Sequence, residues 1–353
     1  MSGTAAGATF LLAFLASGWS AALRDRAAAA SGGIPILTLV LYVVALVLVT
    51  EALQVPFAFY QGVTLERRYG LSTQPMARWW ADQGKAGAVG LTLAVAAALV
   101  VWAPLRLSPE RWWLIASGCF IVLLVVMAQL APVYLLPLFY TFRPLDRPAL
   151  VDRLVRLAGR AGTTILGVFE WRMSEKTRKA NAALTGIGRT RRILLSDTLL
   201  AEHSDDEIEV ILAHELSHHV HHDIWKALAV EAVLLTTGLY LADRVLAIAP
   251  GRFGLMGKDD VAALPLLLLA LGAVSIVLLP VVNALSRAHE RRADRYALEM
   301  TGNATGFMSA MRRLGAQNLA EERPSRLVEI LFYSHPSMAD RIEAARVWES
   351  DSR

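Results

Sequence analysis

The sequence predicts a mainly α-helical, polytopic membrane bundle of about six spans that also carries a polar domain with a small β-sheet. Three observations support this. Of 353 residues, 55% are hydrophobic and the mean hydropathy is +0.43, an excess that points to an integral membrane protein. The apolar residues gather in runs of about 20, the length that crosses a hydrocarbon core about 30 Å thick. Across residues 141–226 that pattern stops, and an amphipathic repeat through Leu150, Leu154 and Leu157 is followed by shorter β-like runs.

The expected spans are residues 8–23, 36–55, 86–105, 112–139, 227–249 and 262–283. The first has no Lys or Arg before it, whereas a secretory signal needs a basic start, so it reads as a retained helix. The fourth ends on Pro132 and Pro137, whose missing backbone donors favour a kink or an exit from the bilayer. Within the fifth, Glu231 reads as facing a polar interior, and Asp243 with Arg244 as marking the interface. The chain accordingly divides into a membrane domain of four spans (1–140), a polar domain (141–226), two further spans (227–283) and a second polar part (284–353).

The single Cys119 falls in an apolar run and cannot form an internal disulfide. A net charge of +4 would suit nucleic-acid binding in a soluble protein, but no aromatic-basic pattern accompanies it. In a membrane protein such excess Arg sets topology and meets anionic headgroups, so the lipid bilayer is the expected partner and nucleic acid is not. Six spans put both termini and the polar region on one side. Arg67, Arg68, Arg78, Lys85, Arg143 and Lys226 flank that side, against Arg24, Arg26, Arg106, Arg111, Arg252 and Lys258 on the other, and the positive-inside rule leans to the cytoplasm for the polar region.

Inside the polar domain, residues 181–186, a turn at Gly188 and residues 192–195 read as a hairpin or paired strands. Ser204 and Glu207 form a capping box opening a helix through Ile208, Ile211 and Leu212 into His214-Glu215-Leu216-Ser217-His218. Histidines four apart on a helix share a face, with roughly 5 to 6 Å between β-carbons, so both can meet one ion while Glu215 projects beside it. That is the arrangement a hydrolytic zinc site requires, although five residues in this pattern also arise by chance in ordinary helices, and it makes the polar domain the candidate for a zincin-like catalytic domain. Such a site needs a third protein ligand. In Ser286-Arg287-Ala288-His289-Glu290-Arg291-Arg292-Ala293-Asp294, Glu290 and Asp294 lie one turn apart. One could bind metal while the other accepts a hydrogen bond from an imidazole, or the segment could be a solvated charged helix with Arg paired to Glu; pattern alone leaves both readings open. His219, His221 and His222 read as solvated groups at a helix end, and His203 and His289 as polar surface groups.

Taken together, HELSH, then SRAHERRAD after two spans, then His335-Pro336-Ser337 with Arg341 resemble the type I CAAX prenyl protease family of integral-membrane zinc endopeptidases. Residues 56–85, 132–148, 181–200 and 333–341 resemble segments of that family in the same order, so the likeness covers most of the chain past about residue 50. It implies His214, His218 and Glu290 as ligands of Zn2+, Glu215 as general base, and Asp294 as partner of a ligand histidine. It further implies that His335 stabilises the oxyanion with support from Arg341. The strand from Asn181 through Ala182 and Ala183 to Gly186 would take the substrate as an added strand.

The expected activity is zinc-dependent endopeptidase hydrolysis near the membrane, a CAAX-type processing of C-terminal peptides. The partner is then a peptide or protein substrate, prenylated in the family's reaction. Two departures stand out: Ser217 where glycine is usual, and six spans where the eukaryotic members have seven. An HtpX-like quality-control protease shares the zinc motif, but the four spans before it favour the CAAX-type architecture. Site-two proteolysis would put the motif inside an apolar span, and here it lies in a capped polar helix. A non-catalytic scaffold or transporter would close a structural metal with four protein ligands, where three are evident.

Overall fold

The computed structural model describes residues 2–186 and 190–352; the turn expected at Gly188 lies outside them. Helices α1 (Ser2–Ala16) and α2 (Trp19–Ala30) meet at Gly18, whose φ of 77° is the left-handed conformation that ends a helix, and they bend by 73°. The expected first span is therefore a broken pair, because hydropathy averages across a break that one glycine makes. α3 (Pro35–Phe59) starts on a proline, whose missing N–H costs nothing in the first turn, and runs on through a π-helical turn to Arg68. α4 (Met76–Leu107) is longer than its apolar run because polar residues extend it at the start. α5 (Trp112–Leu130) passes into a π-helical turn, Ala131–Leu135, beginning beside Pro132, so the prolines widen the hydrogen-bond ladder there.

The polar region follows as β1 (Phe142–Pro144), α6 (Pro148–Arg160), β2 (Gly167–Trp171), β3 (Ala182–Thr185), β4 (Arg192–Ser196), α7 (Asp197–Glu202) and α8 (Asp205–Val220). Then come α9 (Asp223–Ala247), α10 (Leu264–Thr301), α11 (Ala304–Gln317), α12 (Arg326–Phe332) and α13 (Met338–Asp351). Among the described residues, five helices are long and apolar enough to cross a membrane, or six if the bent pair counts as one span. α10 joins the expected sixth span and the charged segment after it into one helix of 38 residues, with Pro280 inside it.

The chain forms two compact units. The first comprises Met1–Arg68, Met76–Val126 and Leu228–Val277. Its interior holds Leu15, Leu39, Tyr42 and Trp112, all nearly inaccessible. The Ser20 hydroxyl lies 2.7 Å from the Tyr42 hydroxyl and donates to the Ala262 carbonyl at 2.7 Å. Asp243, expected to mark the interface beside Arg244, is instead fully buried. It accepts from Trp112 Nε1 and Lys258 Nζ, each at 2.8 Å, and pairs with Arg244, so its charge is met from three sides. Glu231 is exposed rather than facing a polar interior.

The second unit comprises Tyr69–Pro75, Met127–Ala227 and Leu278–Arg353. Its four-stranded sheet has the order β1-β2-β4-β3, with β2 and β4 parallel and the outer pairs antiparallel. β4 is central, which is why Ile193, Leu194 and Leu195 form an unbroken apolar run and are buried. α6 turns Leu150, Leu154 and Leu157 into a core shared with Ile208 and Leu212 of α8 and Phe307 of α11, as the helical spacing of those leucines predicts. β3 ends at Gly186, whose φ is +91° and where a Cβ would lie 2.6 Å from the Thr190 carbonyl oxygen, so only glycine fits.

Candidate metal centre

α8 carries the paired histidines, and its sequence defines both ends. The Ser204 hydroxyl accepts from the Glu207 N–H at 3.3 Å, and the Glu207 carboxylate accepts from the Ser204 N–H at 2.8 Å, so the predicted capping box is formed. Asp205, Asp206 and Glu207 place negative charge at the first turn, where the helix dipole favours it. The helix ends at His221, and His222 at φ 56° turns the chain into α9. Between those ends Ile208, Leu212, Ala213 and Leu216 are fully buried, which anchors the face that carries His214.

The imidazoles of His214 and His218 stand edge to face, with ring centroids 5.1 Å apart. Glu290 reaches them from α10: its Oε2 is 3.3 Å from His214 Nε2 and its Oε1 is 3.5 Å from His218 Nε2. One donor atom from each of these residues lies within 4.8 Å of the others. Ligands held about 2.0–2.1 Å from a tetrahedral ion sit about 3.3–3.4 Å apart, so this donor set fits a zinc-sized ion. Glu290 Oε2 is also buried without a hydrogen-bond partner, an arrangement that is costly unless a cation meets it.

Each histidine turns its other nitrogen to a carboxylate. His214 Nδ1 is 2.9 Å from Asp294 Oδ1, and His218 Nδ1 is 3.1 Å from Asp223 Oδ2. Such pairs fix ring orientation and direct Nε2 to the ion. Arg341, expected beside His335 as its support, makes a two-pronged pair with Asp294 at 2.8 and 2.5 Å, and its Nη2 lies 3.4 Å from His214 Nδ1. Both members are buried, so the carboxylate serves imidazole and guanidinium at once. Burial pulls the His214 imidazole down, but the carboxylates of Asp294 and Glu290 more than reverse this and raise its pKa to about 9. Burial pushes the Glu215 carboxyl above its ordinary value, against the pull of the two neighbouring imidazoles.

His335 follows α12, with Nε2 3.5 Å from Glu290 Oε1 and Nδ1 2.9 Å from the Ser334 hydroxyl. Its position depends on two residues that the sequence reading passed over. Arg287 Nη1 donates to the Glu329 and Tyr333 carbonyls at 3.0 and 2.6 Å, and Asn283 Nδ2 donates to that of Leu331 at 2.8 Å. These carbonyls cluster at the C-terminal end of α12, where a helix lacks further N–H partners of its own, although that of Glu329 also accepts from the Tyr333 N–H at 3.1 Å. Asn283, Arg287, Glu290 and Asp294 recur at helical spacing along α10, so one face holds the His335 segment and the metal donors together. The segment is thus a buried polar face, not a solvated charged one. Asp223 was also missed; its only signal was an acidic residue just past a histidine-rich helix end.

Of the remaining histidines, His222 keeps the solvated state expected of it, and the others are withdrawn from solvent to different degrees. His203 is buried with both ring nitrogens unpartnered, and His219 Nε2 donates to the Leu184 carbonyl at 3.2 Å. His221 sits edge-on to Tyr296 and 3.1 Å from the Ser217 hydroxyl, while His289 is half-buried and His222 is exposed. Ser217, fully buried, thus spends its extra atoms on a hydrogen bond.

β3 is the terminal strand of the sheet among the described residues. Ser196 N–H donates to the Asn181 carbonyl at 2.9 Å. Antiparallel pairs alternate, so Asn181, Ala183 and Thr185 turn their polar groups to β4, and Ala182 and Leu184 turn theirs outward. Of Asn181, Ala182 and Ala183, only Ala182 therefore addresses the open edge. Asn181 and Ala182 line a cavity of about 370 Å³ together with His214, Glu215, Glu290 and His335.

A long-helix membrane fold carrying an HExxH helix, with a carboxylate brought from a second helix, defines an integral-membrane metallopeptidase. The model of Peptidase family M48 matches residues 144–349, and that of the CAAX prenyl protease N-terminal region, with five membrane helices, matches residues 1–141. The chain belongs to peptidase family M48. A Bacillus subtilis protein named as an uncharacterized metalloprotease, YhfN, is 33% identical over 313 residues, 88% of this chain and 73% of its own. The CAAX prenyl protease 1 of Saccharomyces cerevisiae is 28% identical over 321 residues, 82% of this chain and 68% of its own. The crystal structure of S. mikatae Ste24p shares the fold, with a TM-score of 0.85 at 20% identity over 95% of this chain and 82% of that one.

Proposed function

We propose that this membrane metallopeptidase is a zinc endopeptidase that trims C-terminal peptides of membrane-associated, prenylated substrates, with its site on the cytoplasmic side. The observation that carries the reading is the meeting of His214, His218 and Glu290 within 4.8 Å, beside Glu215. These three residues hold Zn2+. The bound ion supplies a Lewis acid and lowers the pKa of water to about 7. The extended peptide pairs with the outer edge of β3 at Ala182. Glu215, its carboxyl raised by burial, takes the proton of the attacking water and passes it to the leaving amine nitrogen. His335, oriented by the Ser334 hydroxyl 2.9 Å from Nδ1, donates a hydrogen bond from Nε2 to the oxygen of the scissile carbonyl.

The test compares matched farnesylated and unmodified peptides with the purified protein, with and without a chelator. Faster, chelator-sensitive cleavage of the farnesylated peptide is expected; equal rates would replace the proposal with general membrane proteolysis. Metal affinity should also depend on pH. Ion and proton compete for His214, whose pKa is raised to about 9 without an ion, so affinity should fall roughly tenfold per pH unit as pH drops below about 9. Competition with a chromophoric chelator between pH 7 and 9 measures this, and a flat profile would remove His214 from the ligand set.

A further inference from the structure

The open edge of β3 is closed at one end by a side chain that imitates a strand. The Asn318 amide oxygen accepts from the Ala180 N–H at 2.9 Å, and its Nδ2 donates to the Ala180 carbonyl at 3.2 Å. Ala180 has the same outward parity as Ala182, so a paired peptide would otherwise use these two groups. A carboxamide carries the donor and acceptor of a peptide unit, and Asn318 engages Ala180 as a neighbouring strand residue would. Its position is firm. Asn318 caps α11 with its N–H on the Leu314 carbonyl at 2.9 Å, and the adjacent Gln317 donates to the Arg178 carbonyl at 3.0 Å. At the other end, His219 takes the Leu184 carbonyl. Between them, among the described residues, the alternation leaves the edge the N–H and carbonyl of Ala182 and the N–H of Leu184. Asn318 lines the same cavity as Glu215 and His335.

We infer that Asn318 is a specificity-determining residue that ends the substrate-pairing edge at Ala182, so that the enzyme engages only a short stretch of backbone on that side. The inference rests on the proposed pairing of substrate with β3. Affinity then comes from few main-chain bonds, and lengthening the peptide toward Asn318 past the residue opposite Ala182 adds none. This distinguishes the cleft from that of an endopeptidase that reads a long extended segment.

The experiment measures kcat and KM for peptides lengthened one residue at a time at either end, with wild type, Asn318→Ala and Asn318→Asp. For wild type, KM should stop falling at one end once the residue opposite Ala182 is present. In Asn318→Ala, two added residues should lower KM about tenfold with kcat unchanged, through the two freed hydrogen-bonding groups of Ala180. Asn318→Asp keeps the size and the acceptor and frees only the carbonyl, so it should gain less; it answers the question where the alanine variant does not accumulate. A wild type that already gains from the same extension, or variants with its length dependence, would overturn the inference. Loss of chelator-sensitive cleavage of every peptide by wild type would instead overturn the functional reading beneath it.

Discussion

Glu215→Gln should retain its metal and lose about 10²–10⁴-fold in kcat, the range that a positioned general base contributes. Glutamine keeps the shape and the hydrogen-bonding reach of the side chain but cannot hold a proton in transit. Glu215 does not belong to the set of donors that meet within 4.8 Å, which is why metal content should not follow activity. Metal analysis of the purified variant, run beside peptide cleavage, separates the two roles. A variant that turns over at the wild-type rate would remove Glu215 from the mechanism, and one that loses its metal would make it a ligand.

Asp294→Ala should damage both the site and the fold. The Asp294 carboxylate is buried and is met by His214 Nδ1 at 2.9 Å and by two nitrogens of Arg341. Its removal takes away the carboxylate paired with the buried guanidinium, and breaking a buried pair in this way costs about 3–5 kcal/mol. The same change frees the ring of His214, and losses of this kind reduce metal affinity or activity by about 10–100-fold. Thermal unfolding in detergent and a metal titration report the two effects separately. Unchanged affinity and stability would mean that Asp294 is only a charged residue on a long helix. Arg341 was expected to assist His335; its observed pairing predicts that Arg341→Ala acts through His214 orientation as well.

Much of the catalytic helix was legible because its signals are local. A capping box, an apolar run and histidines four apart all lie within one stretch, and a helix converts that spacing directly into a shared face. The leucines of α6 were legible for the same reason. Span boundaries were less so. The break at Gly18 depends on one residue's backbone conformation, and the run of α10 through Pro280 into the charged segment depends on tertiary packing, which hydropathy does not record. The solvated reading of His203 and His219 failed because burial of a polar residue is decided by what other elements bring to it.

By itself the sequence determined a helical membrane protein with a capped helix bearing two imidazoles and a carboxylate, since periodicity and capping are properties of adjacent residues. Local pattern left Glu290 and Asp294 open, and only the family resemblance pointed to them. Tertiary structure brings Glu290 to the two histidines, sets Asp294 against His214 and Asp223 against His218, and leaves the β3 edge open at Ala182 but covered at Ala180. These depend on distances between residues far apart in the chain. No local pattern encodes them, because they follow from where whole helices and strands pack.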